Sequence, residues 1–315
     1  MIDLYYILIS MIPAILASIG TSIGQGLIGR QAQIAIHTQP ASAQNIFKMC
    51  VVGTAVTETA ALMGAIMSIM LITDSIPLTH ACFASYGVVG IAFAVGISGL
   101  CAGIASAFPA IACCSSLARQ PFLQSKILNI MLITQTLIMA PNIFGLIIGL
   151  MIKGQIPYVD TFNHAMQLLA SGISIGLGSI GPSIGLATFV FSACRALGTN
   201  KKAYNKIVTF TFICEAIIET PVIFSLIISL MIFSKTIFPE SVLQGWQFIS
   251  AALCIGLSTI APGINTGKIG ASACTQIALQ INQYSSISKI TMLALALIDS
   301  FAIYGLIISL ILLLY

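Results

Sequence analysis

Eight stretches of this chain, at approximately 4–36, 46–73, 83–116, 124–152, 162–197, 205–233, 243–280 and 288–315, are apolar over long runs. Each reaches or exceeds the ~20 residues that a helix needs to cross hydrocarbon. Several are longer, which implies tilt or extension past the lipid. Charged residues make up 6% of the 315-residue chain and hydrophobic ones 58%, against roughly a quarter charged in soluble domains. A soluble core of this size cannot hide that much apolar surface, so the composition predicts an integral membrane protein. The alternation of a transmembrane barrel is absent, and open sheets cannot span a bilayer. The expected fold is therefore all-α, with eight transmembrane helices.

Charge and cysteine usage narrow the function. Twelve Lys and Arg against eight Asp and Glu form no basic patch, which argues against nucleic-acid binding. The nine cysteines lie in or beside apolar runs without CxxC or zinc spacing, so they read as small packing residues. No cofactor motif stands out. His37, His80 and His164 sit in or next to links and read as solvated, not metal-binding. Met1-Ile2-Asp3-Leu4 has no basic n-region, so no cleaved signal peptide is expected.

The links fall into two sets. One set contains Gln39-Pro40, Arg119-Gln120-Pro121, Asn200-Lys201-Lys202 and Gln280-Ile281-Asn282-Gln283. Ten basic residues cluster on that side: Arg30, Lys48, Arg119, Lys126, Arg195, Lys201, Lys202, Lys206, Lys268 and Lys289. The other side carries Asp3, Asp74, Asp160 and Glu240 with only Lys153 and Lys235. The positive-inside rule puts the first set in the cytoplasm and both termini outside.

The sequence also repeats. Met63–Ser68, Phe144–Gly149, Phe224–Ser229 and Tyr304–Ser309 are similar strings spaced by 81, 80 and 80 residues. The expected units are four tandem helical hairpins, at 1–78, 79–158, 159–238 and 239–315. All share one topology, which argues against the inverted repeats of secondary transporters. The first helix of each hairpin is rich in small residues, as in Gly20-Thr21-Ser22-Ile23-Gly24-Gln25-Gly26 and Gly172 through Gly185. In lipid such residues let backbones approach closely, and four copies suggest a tight inner ring of helices.

One repeat position holds Glu58, Met139, Glu219 and Asp299. Each lies about a dozen residues into an apolar helix, ~18 Å deep at 1.5 Å per residue. A charge there costs at least ~2.5–3.5 kcal/mol, so each acid is expected to be protonated or cation-bound while it faces lipid. Gln25 lies at similar depth, with Ser106, Leu186 and Thr266 as its equivalents, and Thr59, Thr220 and Ser300 directly follow the acids. A carboxylate, a hydroxyl and an amide oxygen can hold a hard cation or hydrogen-bond a protonated acid.

These residues resemble the proteolipid of the membrane rotor ring, the c-type subunit of rotary F-type ATP synthases. Gly20 through Gly26, Gln39-Pro40 and Ala55-Val56-Thr57-Glu58-Thr59 resemble one hairpin of that family. Arg119-Gln120-Pro121 matches the family's loop signature, and Asp299 through Gly305 resembles its ion-site helix. The likeness covers nearly the whole chain as four fused copies. It implies a ring made with other copies of the chain, in contact with membrane lipid, in a bacterial plasma membrane. It further implies a stator subunit with an essential arginine, and a central stalk gripped by Gln39, Pro40, Arg119, Gln120, Pro121, Asn200 and Lys201. Glu58, Glu219 and Asp299 then carry H⁺ or Na⁺. Gln25, Val56 (by its carbonyl) and Thr59 match the extra ligands of sodium-binding members, while Thr220 and Ser300 match the hydroxyl position only. The chain itself is then no enzyme but a membrane subunit of one.

Met139 departs from the family pattern, with Gln135 one turn earlier. So does Glu215, one turn before Glu219 on the same helix face, where the two acids are expected to titrate as a pair. A secondary transporter or channel using the same acids as a relay is the competing reading.

Overall fold

A computed structural model describes residues 2–73, 81–238 and 242–314. Asp74, His80 and Glu240 lie outside the described residues, and the side chains of Asp3 and Cys82 are likewise not described. Among the described residues, eight helices are long and apolar enough to cross a membrane. They are α1 (Tyr6–Thr38), α2 (Pro40–Thr73), α3 (Phe83–Arg119), α4 (Pro121–Tyr158), α5 (Phe162–Thr199), α6 (Lys201–Ser234), α7 (Leu243–Leu279) and α8 (Ile281–Leu314). No strand occurs among the described residues.

The helices are less regular than their apolar pattern suggests. Short breaks fall at Ser106, Ser179 and Thr259, each three residues before a proline, Pro109, Pro182 and Pro262. Proline lacks an N–H and crowds the turn before it. A π-helical segment, Ala92–Ile97, loosens the middle of α3. Pro221 by contrast sits inside α6 without breaking it.

The four links between odd and even helices are built alike. The N–H groups of Gln39, Gln120, Asn200 and Gln280 donate to the carbonyls of Ala35, Ser116, Ala196 and Gln276, at 3.0, 2.8, 3.2 and 2.9 Å. These are equivalent repeat positions, and a single 3₁₀ turn follows each. Pro40 and Pro121 start two of those turns with a preset φ, whereas Lys201 and Ile281 do so without one.

The odd helices form an inner row in which α1 packs on α3, α3 on α5 and α5 on α7. The even helices form an outer layer, with α2 set against both α1 and α3, α4 against α3 and α5, and α6 against α5 and α7. Glycine makes the inner row possible by its size alone, since none of the described glycines has a positive φ. A Cβ on Gly24 would stand 2.5 Å from the Gly103 carbonyl oxygen, and one on Gly181 2.5 Å from the Ile260 Cα. A Cβ on Gly185 would overlap the Gly263 carbonyl, and one on Gly172 the Gly90 carbonyl. Dispersion between backbones held this close stabilises helix pairs where lipid gives no hydrophobic drive.

The row does not return on itself. Within the inner row α3 and α5 bury 67% and 72% of their most apolar windows, whereas α1 and α7 bury 39% and 44%. The α1–α2 end and the α7–α8 end therefore present unfilled packing faces. Placing one copy's last hairpin against the next copy's first is a head-to-tail contact, which closes into a ring when the rotation per copy divides a full turn.

Gly185→Ala and Gly263→Ala should each destabilise the inner row by about 1–3 kcal/mol through overpacking. Gly154→Ala, with nothing within 4 Å of its added Cβ, should be neutral or mildly stabilising. Thermal dissociation of the purified oligomer in detergent reads the difference, and equal midpoints for Gly185→Ala and Gly154→Ala would contradict the packing account.

Candidate functional site

The outer layer brings the repeat position of Glu58, Met139, Glu219 and Asp299 to the boundaries between hairpins. Met139 shows the geometry most completely. Its side chain is buried against Ala60 of α2 and Ala102 of α3. It lines an apolar groove of about 550 Å³ between α2 and α4, with Val56, Thr59, Met63, Thr136 and Ile143 among its walls. The residue at this level of one hairpin thus faces the outer helix of the hairpin before it.

Below Met139 lies a buried polar network. The Gln135 Nε2 donates to the Gly53 carbonyl at 3.1 Å and to the Ser106 carbonyl at 2.8 Å. The Ser106 hydroxyl donates to Thr57 Oγ1 at 3.3 Å, and the Thr57 hydroxyl to the Gly53 carbonyl at 2.9 Å. Gln135, Ser106 and Thr57 are all fully buried. Interhelical hydrogen bonds of this kind tie α4 to α2 and α3 where water cannot compete.

The three acids differ in surroundings. Glu58 is exposed and Glu219 half-buried. Asp299 is 8% exposed, and its Oδ1 has no hydrogen-bond partner. The hydroxyls that follow the acids turn back on their own helices. Thr59 donates to the Val56 carbonyl at 2.8 Å, Ser300 to the Leu297 carbonyl at 2.6 Å and Thr220 to the Ala216 carbonyl at 3.1 Å. Each hydroxyl oxygen keeps lone pairs for a cation, and a main-chain carbonyl lies beside each of the three.

The resemblance offers Gln25, Val56 and Thr59 as extra ligands beside the acids, with the partner acid of Gln25 in its own or a neighbouring hairpin. Within one copy they are divided. Val56 and Thr59 line the groove that holds Met139, and Glu58 is not on that wall. Gln25 stays with α2, its Nε2 donating to the Thr54 carbonyl at 3.3 Å one turn before Glu58. The division follows from helix geometry, since residues one and two apart do not share a face.

The link residues lie together at one end of the bundle. Pro40, Arg119 and Lys201 are exposed, and Gln39, Gln120, Pro121 and Asn200 are half-buried. Asn200 braces its link, its Nδ2 donating to the Ala278 carbonyl at 2.9 Å and its Oδ1 accepting from the Lys202 N–H at 3.0 Å. Sequence reasoning does not find the Ser106–Thr57 bond or the two acceptors of Gln135. The available signal is positional, because Gln135 and Glu215 occupy one repeat position. Among the described residues no group of His, Cys, Asp and Glu is arranged to hold a metal ion.

The sequence matches the family of ATP synthase C subunits four times, over residues 8–71, 89–152, 169–232 and 249–312. Similar curated proteins include the ATP synthase c-type subunit of Chloroflexus aurantiacus, 39% identical over 69 residues, or 22% of this chain and 91% of that protein. The corresponding ATP synthase protein of Dehalococcoides mccartyi is 40% identical over 67 residues, 21% of this chain and 88% of that protein. The chloroplastic counterpart from Antithamnion sp. is 38% identical over 71 residues, 22% of this chain and 87% of that protein. Each relative is thus about the length of one hairpin.

Gln135→Leu removes two interhelical donors and should lower stability by about 1–2 kcal/mol. A lowered dissociation temperature of the oligomer would register it, and an unchanged one would show that the network does not hold α4 in place.

Proposed function

Since the chain belongs to the family of ATP synthase C subunits, we propose that Glu58, Glu219 and Asp299 carry a monovalent cation, H⁺ or Na⁺, through lipid as the rotor ring of a rotary ATP synthase turns. As a family member the chain is a membrane subunit of that complex, not catalytic by itself, and works in a ring of copies. The observation that supports the carrier role best is the recurrence of acids at one level of the outer layer, on the boundary between hairpins. An acid there meets lipid on one side and a ligand-bearing helix wall on the other. It is stable in lipid only when neutralised, and it can release its ion where water or a fixed positive charge replaces that ion. A stator arginine would supply such a charge and stop back-leakage.

The groove around Met139 gives the pairing rule for the other three seats. Each seat combines the acid of one hairpin with the wall of the hairpin before it. Asp299 then meets the Ile217 carbonyl and the Thr220 hydroxyl. Glu219 meets Leu137 and Ala140, which offer no side-chain oxygen. Among the described residues no hairpin wall covers Glu58, which is exposed. Its wall is then α8 of the preceding copy, with that copy's Leu297 carbonyl and Ser300 hydroxyl. Only this seat has an amide, Gln25, on the acid's own hairpin. The full set of carboxylate, amide, hydroxyl and carbonyl oxygens is therefore assembled between copies. Val56 and Thr59 form the corresponding wall at the seat that lacks an acid.

The links carrying Gln39, Pro40, Arg119, Gln120, Pro121, Asn200 and Lys201 form the surface for the central stalk on the cytoplasmic side. A lone transporter bundle fits less well, because it would close its acids inward, whereas Glu58 stands at an open edge.

Two experiments test this reading. Carbodiimide should label Glu58, Glu219 and Asp299 in the purified ring. Na⁺ should protect Glu58, and Ser300→Ala should raise the Na⁺ needed by about tenfold, the worth of one hydrogen-bonding ligand to a charged group. Protection lost in Thr59→Ala but kept in Ser300→Ala would contradict the pairing rule. The second experiment counts ions. With Met139 in one hairpin of each four, the ring should move three ions per copy per turn. Fewer ions per turn means a larger ion-motive force for synthesis, at ~2.3 kcal/mol per charge per 100 mV. A count of four per copy would refute the assignment of Met139 as an idle seat.

A further inference from the structure

Hairpin three holds a further intramembrane acid, Glu215, one turn before Glu219 on α6. It is 1% exposed, and neither carboxyl oxygen has a hydrogen-bond partner. The ionisable groups that face it are Glu219 and Cys214 on its own helix and Cys274 on α7. None of them brings a positive charge. An ionised carboxylate here would be a buried, unpaired charge.

Its repeat equivalents are Thr54, Gln135 and Leu295. Of these, Gln135 shows what the position offers. Its amide donates to two main-chain carbonyls, that of Gly53 on the preceding outer helix and that of Ser106 on its own inner helix. By the repeat relation the corresponding carbonyls for Glu215 are those of Thr134 and Leu186. The position is thus lined by acceptors and calls for a donor. A carboxylate is an acceptor only, whereas a carboxylic acid has one O–H to give.

We propose that Glu215 binds a resident proton, which it donates across the hairpin boundary to a main-chain carbonyl as the Gln135 amide does, and that this proton is not transported. It is buried more deeply than Glu219, its neighbour one turn away, which is half-buried at the outer boundary. The fully turned-in carboxyl never presents its ion to lipid, water or stator. The four intramembrane acids of the four hairpins therefore do not amount to four seats, and Glu215 does not replace the acid missing at Met139. This inference rests on the reading above only in taking Glu219 as the exchanging acid of hairpin three.

The test is infrared spectroscopy of the assembled ring in lipid, followed through the carboxylic-acid C=O stretch. On raising the pH, the transported seats should lose that band while one carboxyl's worth remains. The residual band should shift in D₂O far more slowly than the seats, and it should be absent in Glu215→Gln. That variant should keep Glu219 labelling by carbodiimide and the same number of ions per turn. Thr and Leu occupy this position in hairpins one and four, so Glu215→Thr and Glu215→Leu provide the subtraction if the Gln variant does not assemble, and the D₂O kinetics need no variant.

Loss of the whole band with pH would overturn the proposal, as would a residual band unchanged in the variants. Loss of the residual band on adding Na⁺ at constant pH would make the site one for a metal cation instead. A drop of one ion per copy in Glu215→Gln would make Glu215 a transported seat. Failure of Glu219 to react with carbodiimide would strike the carrier reading while leaving the residual band to decide this one.

Discussion

A carboxyl group inside hydrocarbon must be neutral, and this constraint organises the molecule. Water cannot screen it there. The charge must be cancelled by a proton or a bound cation, or the position must lose its acid. The chain shows these outcomes at two adjacent repeat positions. Glu58, Glu219 and Asp299 keep acids at one repeat level of the outer layer, the seats of the proposed ion exchange. Met139 gives up the acid and fills the space with apolar volume against Ala60 and Ala102. Gln135 meets the acceptors below it with an uncharged amide.

The second organising force is close backbone contact in the inner row. Gly24 against Gly103, Gly172 against Gly90 and Gly185 against Gly263 leave no room for a Cβ. That fixes the spacing of the inner helices, and it places α2, α4 and α6 each between two of them. The level of the acids on the outer layer is thus a consequence of contacts made on the inner one. Fusion of four hairpins lets neighbouring boundaries differ, because each is encoded separately. A ring of identical single hairpins cannot mix a Met139 boundary with an Asp299 boundary, whereas this chain does.

Much of this is legible in the sequence. The eight spans, the four hairpins and the shared level of Glu58, Met139, Glu219 and Asp299 follow from apolar run lengths and a repeat that aligns without gaps. What the sequence does not provide is handedness and facing. Thr59 lies next to Glu58 in the chain and groups with it on paper, yet it lines the Met139 groove, because neighbours on a helix point in different directions. Glu215 reads as a neighbour of Glu219 and does face it, but depth along a helix does not say that Glu215 is buried while Glu219 is half-buried. The breaks before Pro109, Pro182 and Pro262 are also hidden, since Pro221 sits in an unbroken helix and proline content alone does not separate the cases.

The most direct measurement is electron cryo-microscopy of the purified oligomer in a lipid disc, at a resolution that shows side chains. The account predicts a closed head-to-tail ring whose hairpin number is a multiple of four. Every fourth boundary should be filled by Met139, and the preceding copy's Ser300 should stand beside Glu58. A solitary bundle with Glu58 locked into permanent interior contacts, or a ring that pairs Thr59 with Glu58 inside one copy, would contradict it.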